Sequence, residues 1–336
     1  MDIDAPATTE PCRAEELWFE DENIVLQAGN TQYRVHRSML ARHSPVFRDM
    51  LAFPQPADAE LVDGCPLVRL HDAEEEVTPF LRALFDLEFF LPFPEPTTFD
   101  AIYGCLRLSN KYDVPSLRRR ALVHLSSQFR TNLKQHAVLV ALAAADVGVK
   151  ANSPQRSTWP QADLDTLLRV ISIAREVDAK WVLPAVFYHL GTLPLDIALL
   201  QGIQNLSVAE QTHFLSGRTT QSTYALGVSH LLTSSGQLML GCTSPNDCLA
   251  HRMEIADDSQ ENFGALIQDP LRIWTPEEWQ YWYPVVPCEN CITSIDAVMG
   301  ETKEQFWSEL PSMYGLPSWQ DLETMKNAAI GDALLS

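Results

Sequence analysis

Apolar and polar positions recur at two different periods along the chain. Near the N terminus, two short β-prone runs, NIVLQ and TQYRV, flank Gly29-Asn30, and LVRL follows at residues 67–70. Glycine and asparagine tolerate a positive φ, so the Gly-Asn pair predicts a β-hairpin turn. Ser44-Pro45 precedes apolar residues at helical spacing and therefore predicts a helix with Ser44 as its N-cap.

Beyond residue 129, apolar positions recur almost entirely at helical spacing. Ser207 with Glu210, and Thr275 with Glu278, have the spacing of a capping box at a helix N terminus. The patterns together predict an α+β protein, with a small sheet flanked by helices followed by a mostly α-helical domain. We assign 1–16 to a disordered acidic lead-in, 17–129 to the α+β unit and 130–336 to the helical C-terminal domain.

The charge balance narrows the classes of partner. Among 336 residues, 24 are Lys or Arg and 44 are Asp or Glu, a net charge of −20. Such a surface repels phosphate backbones and anionic lipid, so we expect protein partners, no nucleic acid and no membrane. No apolar run reaches the roughly eighteen residues needed to span a bilayer, and the start, MDIDAPATTEPC, does not resemble a signal peptide. Seven scattered cysteines indicate reduced thiols, typical of the cytosol or nucleus.

Two histidines and two serines stand close together in the segment YRVHRSMLARHSPVFRDML, namely His36, Ser38, His43 and Ser44. A nucleophile and its base could be inferred from them, but catalytic triads are assembled from distant segments, and no Gly-x-Ser-x-Gly elbow is present. We therefore favour a structural role for these residues and expect a protein without enzymatic activity.

The cysteines carry a second candidate chemistry, between residues 242 and 291. Cys248-x-x-His251 and Cys288-x-x-Cys291 form two short-spaced pairs, and such pairs can close a tetrahedral structural zinc site. Cys242 is an alternative to His251 as the fourth ligand. Thiols without a metal are the other main interpretation, and a redox CxxC is disfavoured because no thioredoxin-like βαβ pattern surrounds it.

The segment VHRSMLARHSPVFRDML resembles the signature of the BTB domain, also called POZ. The pattern is a strand, then His-x-x-x-Leu-Ala-x-x-Ser-x-x-Phe, then an apolar helix. A second segment, YGCLRLSNKYDVPSLRRRALVHL, is similar to the helix pair of that family. The resemblance covers residues 17–129, and the remainder resembles the C-terminal half of fungal BTB proteins. The residues on the positions of the first motif are His36, Leu40, Ala41, Ser44 and Phe47.

The resemblance implies a protein–protein interaction module that forms a homodimer or docks a partner, as a scaffold or regulator. In dimers of the family, the helix after the histidine motif packs against its twin. This implies an interface that includes Met39, Leu40, Val46 and Phe47.

Two alternatives remain open. The first is a substrate adaptor for a cullin-type ubiquitin ligase, which would use Leu84, Phe85 and Asp86. The region FDLEFFLPFPEPTT departs from the family here, because it lacks the aromatic-Thr-Gly turn of cullin binders and has Asp86 where they favour Glu. The second is a metal-dependent protein or enzyme whose active part lies in the helical domain.

Overall fold

The computed structural model describes residues 10–21, 23–53, 60–144, 155–233, 241–262, 269–271 and 283–334. The Thr275/Glu278 capping box lies outside these residues. The strands are β1 (Cys12–Trp18), β2 (Ile24–Ala28), β3 (Thr31–Val35), β4 (Leu61–Val62) and β5 (Cys65–Leu70).

The described strands all lie before residue 71, and the helices fall into two groups along the chain. Within the first 129 residues they are α1 (Arg37–His43), α2 (Pro45–Ala52), α3 (Glu74–Phe85), α4 (Phe99–Lys111) and α5 (Pro115–Gln128). Beyond them lie α6 (Leu133–Ala144), α7 (Leu164–Glu176), a 3₁₀ turn (Lys180–Val182), α8 (Leu183–Thr192), α9 (Ile197–Ile203), α10 (Val208–Thr233), α11 (Pro245–Asn262), α12 (Glu289–Met313) and α13 (Trp319–Ile330). The predicted α+β class with a helical C-terminal region is confirmed.

The strands form one sheet in the order β1-β3-β2-β5-β4. β2 and β3 make the predicted antiparallel hairpin, and Gly29 at its turn has a φ of +54°. The carboxylate of Glu74 at the start of α3 accepts hydrogen bonds from the Asn30 amide, at 3.2 Å, and from the Thr31 hydroxyl, at 2.8 Å. The turn is therefore held against α3, a contact that the sequence pattern did not indicate.

Residues 12–16, which we predicted to lie in a disordered lead-in, are part of a strand. They belong to β1, which pairs in parallel with β3 of the same chain. Their polar side chains face outward and are used at the surface: the guanidinium of Arg13 pairs with Asp63 at 3.1 Å, and Glu16 pairs with Arg82 at 2.9 Å. An edge strand can be polar in this way because its outer side faces water, so apolar periodicity does not reveal it.

A large hydrophobic cluster joins the sheet and its helices to the C-terminal helices. It runs from Leu17 in β1 to Leu334 after α13. The indole of Trp181 donates to the hydroxyl of Ser126 in α5 at 2.9 Å, and both residues are buried. We call this cluster the main core, and it is continuous across residue 129.

Two of the three consecutive arginines of α5 reinforce this continuity, whereas the third, Arg120, donates to the Phe90 carbonyl within the N-terminal region. The guanidinium groups of Arg118 and Arg119 donate to the carbonyls of Val177 and Ile330 in the helical region, each at 2.7 Å. The most basic segment of the chain, LRRRAL, therefore hydrogen-bonds to backbone carbonyls and fastens the C-terminal region to α5. Among the described residues, every helix is too short or too polar to cross a bilayer.

A second, smaller hydrophobic cluster lies apart from the main core, where the end of α10 meets α11 and the first half of α12. We call it the satellite cluster. Its buried members are Leu231, Leu232, Ile255, Ala256, Ile295 and Met299.

Candidate functional sites

The histidine–serine segment is built into the fold through the backbone. Ser44 is fully buried, and its hydroxyl accepts from the Phe47 amide at 3.0 Å and donates to the carbonyl of Tyr112. The predicted N-cap is thus confirmed. A hydroxyl that is buried and occupied by two backbone groups is poorly placed to attack a substrate.

Two of the four residues that the family resemblance implied for an interface at α1 and α2 are inside the protein. Leu40 and Phe47 are fully buried, and the Phe47 ring stacks on Tyr112 with ring centroids 4.3 Å apart. They belong to the main core and cannot contact a partner of the folded chain directly. The family motif therefore marks core positions here as well as surface positions.

The other apolar side chains of α2 form an exposed stripe. Val46, Met50 and Phe53 follow one another at i, i+4 and i+7, which places them on one face of the helix. Val46 is 40% exposed and Phe53, at the C-cap, is 72% exposed, whereas Met50 is half-buried. We call these three residues the α2 outer stripe. Met39 in α1 is also half-buried.

Phe53 was not among the predicted interface residues. The signal that could have found it is the helical spacing itself, which continues one turn past Met50. The buried stripe, Phe47 and Leu51, lies beside it, so α2 carries apolar side chains over more of its circumference than the core needs.

The end of α3 holds the residues considered for a cullin. Leu84 and Phe85 are half-buried, with the Phe85 ring 6.0 Å from that of Phe19. Asp86 is exposed, and its carboxylate accepts from the Glu88 amide at 2.9 Å. The most exposed apolar side chain here is Leu87, at 86%, which sequence reasoning did not single out.

Four cysteines converge at the edge of the satellite cluster. The sulfur atoms of Cys242, Cys248, Cys288 and Cys291 all lie within 4.8 Å of one another. His251, the first choice for the fourth ligand, is outside this group, and Cys242 stands in its place. His251 lies one turn beyond Cys248 along α11, so it is further from the helix N terminus where the other sulfurs meet.

Two helix N termini and one glycine turn position these sulfurs. Cys248 lies in the first turn of α11, Cys288 is the N-cap of α12, and Cys291 is in the first turn of α12. Gly241, with a φ of +82°, turns the chain just before Cys242. The side-chain amide of Asn290 donates to the Gly241 carbonyl at 2.6 Å, which ties this turn to α12.

The thiols differ in acidity because their surroundings differ. Hydrogen bonds from the backbone amides of Thr243 and Cys291 lower the pKa of Cys288 to about 6. Burial raises the pKa of Cys248 and of Cys291 above the ordinary value of a thiol. Of these three thiols, Cys288 is therefore the most acidic.

Residues 18–128, about a third of the chain, match the family described as the BTB/POZ domain. A search of the curated proteins and a search of the solved structures each returned no match to this chain. The N-terminal third is thus a BTB/POZ domain, as the two sequence motifs predicted. The likeness of the C-terminal region to fungal BTB proteins stays a prediction.

Proposed function

Because residues 18–128 form a BTB/POZ domain, which is a protein–protein interaction module, we propose that the protein is a non-enzymatic scaffold or regulator that assembles through this domain. We propose a homodimer as the assembly and the α2 outer stripe as the centre of its interface. The free state of all seven cysteines suits a reducing compartment, so the proposed location is the cytosol or nucleus.

The observation that carries this proposal is the exposure of the α2 outer stripe. Val46 and Phe53 present apolar surface to water on a helix whose neighbouring stripe, Phe47 and Leu51, is already buried. A symmetric dimer buries the same patch on both subunits, so one apolar stripe serves both partners. Burial of this surface on association would be favourable by about 25 cal/mol for each Å² removed from water.

The buried position of Ser44 also supports a non-enzymatic protein. Of the two serine hydroxyls that the sequence offered as a nucleophile, that of Ser44 is engaged with two backbone groups, and Ser38 lies exposed in α1. The segment that bears the BTB motif thus supplies an apolar surface and a stable helix start, and both serve assembly.

The mass of the protein in solution tests the proposal, measured by light scattering after size exclusion over a range of concentrations. We expect wild type at about twice the chain mass of 37.7 kDa, and Val46→Glu and Phe53→Glu shifted to the monomer. Leu87→Glu is the matched control, because it places the same charge at an exposed leucine outside the stripe. A wild type that is monomeric throughout, or stripe variants that dimerise like the control, would contradict the proposal.

A cullin adaptor is the second candidate, and the exposure of Leu87 beside Asp86 at the end of α3 is the observation that favours it. A pull-down with a cullin N-terminal domain separates the two candidates. Leu87→Asp is the informative variant, because Phe85→Asp would also disturb the contact with Phe19. Capture that is lost in Leu87→Asp and kept in Phe53→Glu would establish the adaptor, and no capture by wild type would remove it.

A further inference from the structure

We propose that Cys242, Cys248, Cys288 and Cys291 bind one Zn²⁺ in a closed tetrahedral site that fastens the N terminus of α11 to that of α12. The proposal is independent of BTB-mediated assembly, since these residues lie in the helical region. It replaces His251 of the sequence-based ligand set by Cys242.

The spacing of the sulfur atoms fits zinc. Zn–S bonds of about 2.3 Å in a tetrahedron place the sulfurs about 3.8 Å apart. The sulfurs of Cys242 and Cys288 are 3.9 Å apart, and all pairs lie within 4.8 Å. The four ligands come from a turn and two helix starts, so a small adjustment of side-chain torsions is enough to close the site.

The four sulfur donors narrow the metal to zinc or iron and indicate a structural role. Four thiolates are soft ligands, and a tetrahedral set of four sulfurs selects zinc or iron among the common metals. Four protein ligands leave no open coordination position, which is typical of structural sites and not of catalytic ones. A redox CxxC would need only Cys288 and Cys291, whereas here two further sulfurs lie against that pair.

The surroundings offset the charge of such a site. Zn²⁺ with four thiolates carries two negative charges, and each thiol releases its proton to solvent on binding. The partial positive charge of two helix N termini faces the cluster, and the Cys288 amide donates to the sulfur of Cys248 at 3.2 Å. The buried guanidinium of Arg252 donates to the Cys248 carbonyl at 3.3 Å, which brings a full positive charge to the ligand's own backbone.

A metal would compensate for the small size of the satellite cluster. Among the described residues, its six buried side chains are apolar, and they lie where the end of α10, α11 and the first half of α12 meet. Apolar burial in a cluster of this size seldom holds three helices together by itself, and small folds commonly add a metal or disulfides. The four cysteines lie where α11 and α12 begin, and a metal there would fix the two helices relative to each other.

Metal analysis of the full chain is the first test, on protein expressed in medium supplemented with zinc chloride and purified in reductant. We expect one zinc per chain in wild type, in Cys12→Ser, which removes an exposed cysteine far from the cluster, and in His251→Ala. We expect zinc to be lost in Cys242→Ser and in Cys288→Ser/Cys291→Ser. Zinc retained by the double variant, one iron in place of zinc, or loss in His251→Ala with retention in Cys242→Ser would overturn the assignment.

A second measurement tests the site in the wild-type chain, so that its outcome does not depend on whether the cysteine variants fold. Wild-type protein stripped of metal is titrated with cobalt chloride under reducing conditions. The expected result is a thiolate-to-cobalt charge-transfer band that saturates at one equivalent and disappears on addition of zinc chloride. Stripped protein with all four thiols reduced that develops no such band would contradict the site directly.

Discussion

The main core and the satellite cluster hold helices together in different ways. In the main core, large rings lie against one another and bond to the backbone: Trp159 lies 5.3 Å from Phe99 and 5.8 Å from Phe129, and its indole donates to the His124 carbonyl. Among the described residues, the buried side chains of the satellite cluster are aliphatic or, at Met299, a thioether. Tyr283 packs partly buried against them, and four sulfurs lie at the edge of the cluster.

The difference shows that the number of residues buried in a cluster determines how much a cross-link adds to its stability. The main core draws on the sheet and on helices from both parts of the chain, and it holds many more buried residues than the described part of the satellite cluster. The described part of the satellite cluster has six buried residues from α10, α11 and α12, so a cross-link contributes more there. Four measurements, from the largest expected effect to the smallest, test this comparison.

Removal of the metal should affect the satellite cluster and spare the main core. Structural zinc contributes about 10 kcal/mol or more to folding in small zinc-dependent units. We therefore expect chelation to abolish hydrogen-exchange protection in α11 and the first turns of α12, while α4 and α5 keep theirs. Equal protection with and without chelator, measured by mass spectrometry, would mean that the satellite cluster needs no cross-link.

Truncation of a ring in the main core should cost much of the stability of the BTB domain. Phe47→Ala removes a fully buried ring, so we expect the free energy of unfolding to fall by about 3–5 kcal/mol in urea denaturation. Arg48→Ala, at an exposed position of the same helix outside the α2 outer stripe, should change it by less than about 0.5 kcal/mol. Similar losses in both variants would contradict the inward orientation of Phe47.

Acid should weaken the main core through His136 in α6. Its ring lies 5.0 Å from that of Trp307, and its Nδ1 has no hydrogen-bond partner among the described residues. Burial, together with the neighbouring His189, lowers the pKa of His136 to about 3. The unfolded chain takes up this proton near pH 6.5, so the stabilisation is complete above that pH and is lost as the pH falls toward 3.

The size of the acid effect can be measured as a difference between two proteins. For this single group the loss is at most about 1.4 kcal/mol per pH unit, or about 2 kcal/mol between pH 6.5 and 5. We expect His136→Phe to lose less stability than wild type over that interval. Parallel pH profiles of the unfolding free energy would show that His136 already binds a proton in the folded state.

The smallest effect is expected at the start of α10, the helix that runs from the main core to the satellite cluster. Ser207 and Glu210 form the predicted capping box, with the Ser207 amide donating to the Glu210 carboxylate at 2.8 Å. Ser207→Ala should lower the free energy of unfolding by about 1 kcal/mol. Ser216→Ala, at an exposed position inside the same helix, should leave it unchanged or raise it slightly.

Local chemistry was readable from the sequence where neighbouring residues determine the outcome. The Gly29 turn, the Ser44 cap and the Ser207–Glu210 box each depend on backbone groups within a few positions. Predictions that depended on what surrounds a side chain were less accurate. Leu40 and Phe47 match a family motif, but whether a motif residue faces the core or a partner depends on what packs against it.

For the cysteine site, too, the sequence predicted the part that depends on local spacing and not the part that depends on distant residues. The spacing identified Cys288 and Cys291 as one pair and Cys242, Cys248 and His251 as candidates for the remainder. The choice between Cys242 and His251 needed the position of the α11 N terminus relative to α12, which is set by contacts between residues 40 and 49 positions apart. Spacing along one helix cannot supply that distance.

The sequence by itself determined the β2–β3 hairpin, the helical character of the C-terminal region, the BTB motif and the local caps, because hydrophobic period and short-range hydrogen bonds are properties of neighbouring residues. Only the tertiary structure decided that β1 joins the edge of the sheet, that one core crosses residue 129, that Arg118 and Arg119 bind carbonyls of the C-terminal region, and that four sulfurs meet. These depend on long-range packing, in which each residue's surroundings come from segments far away in the chain.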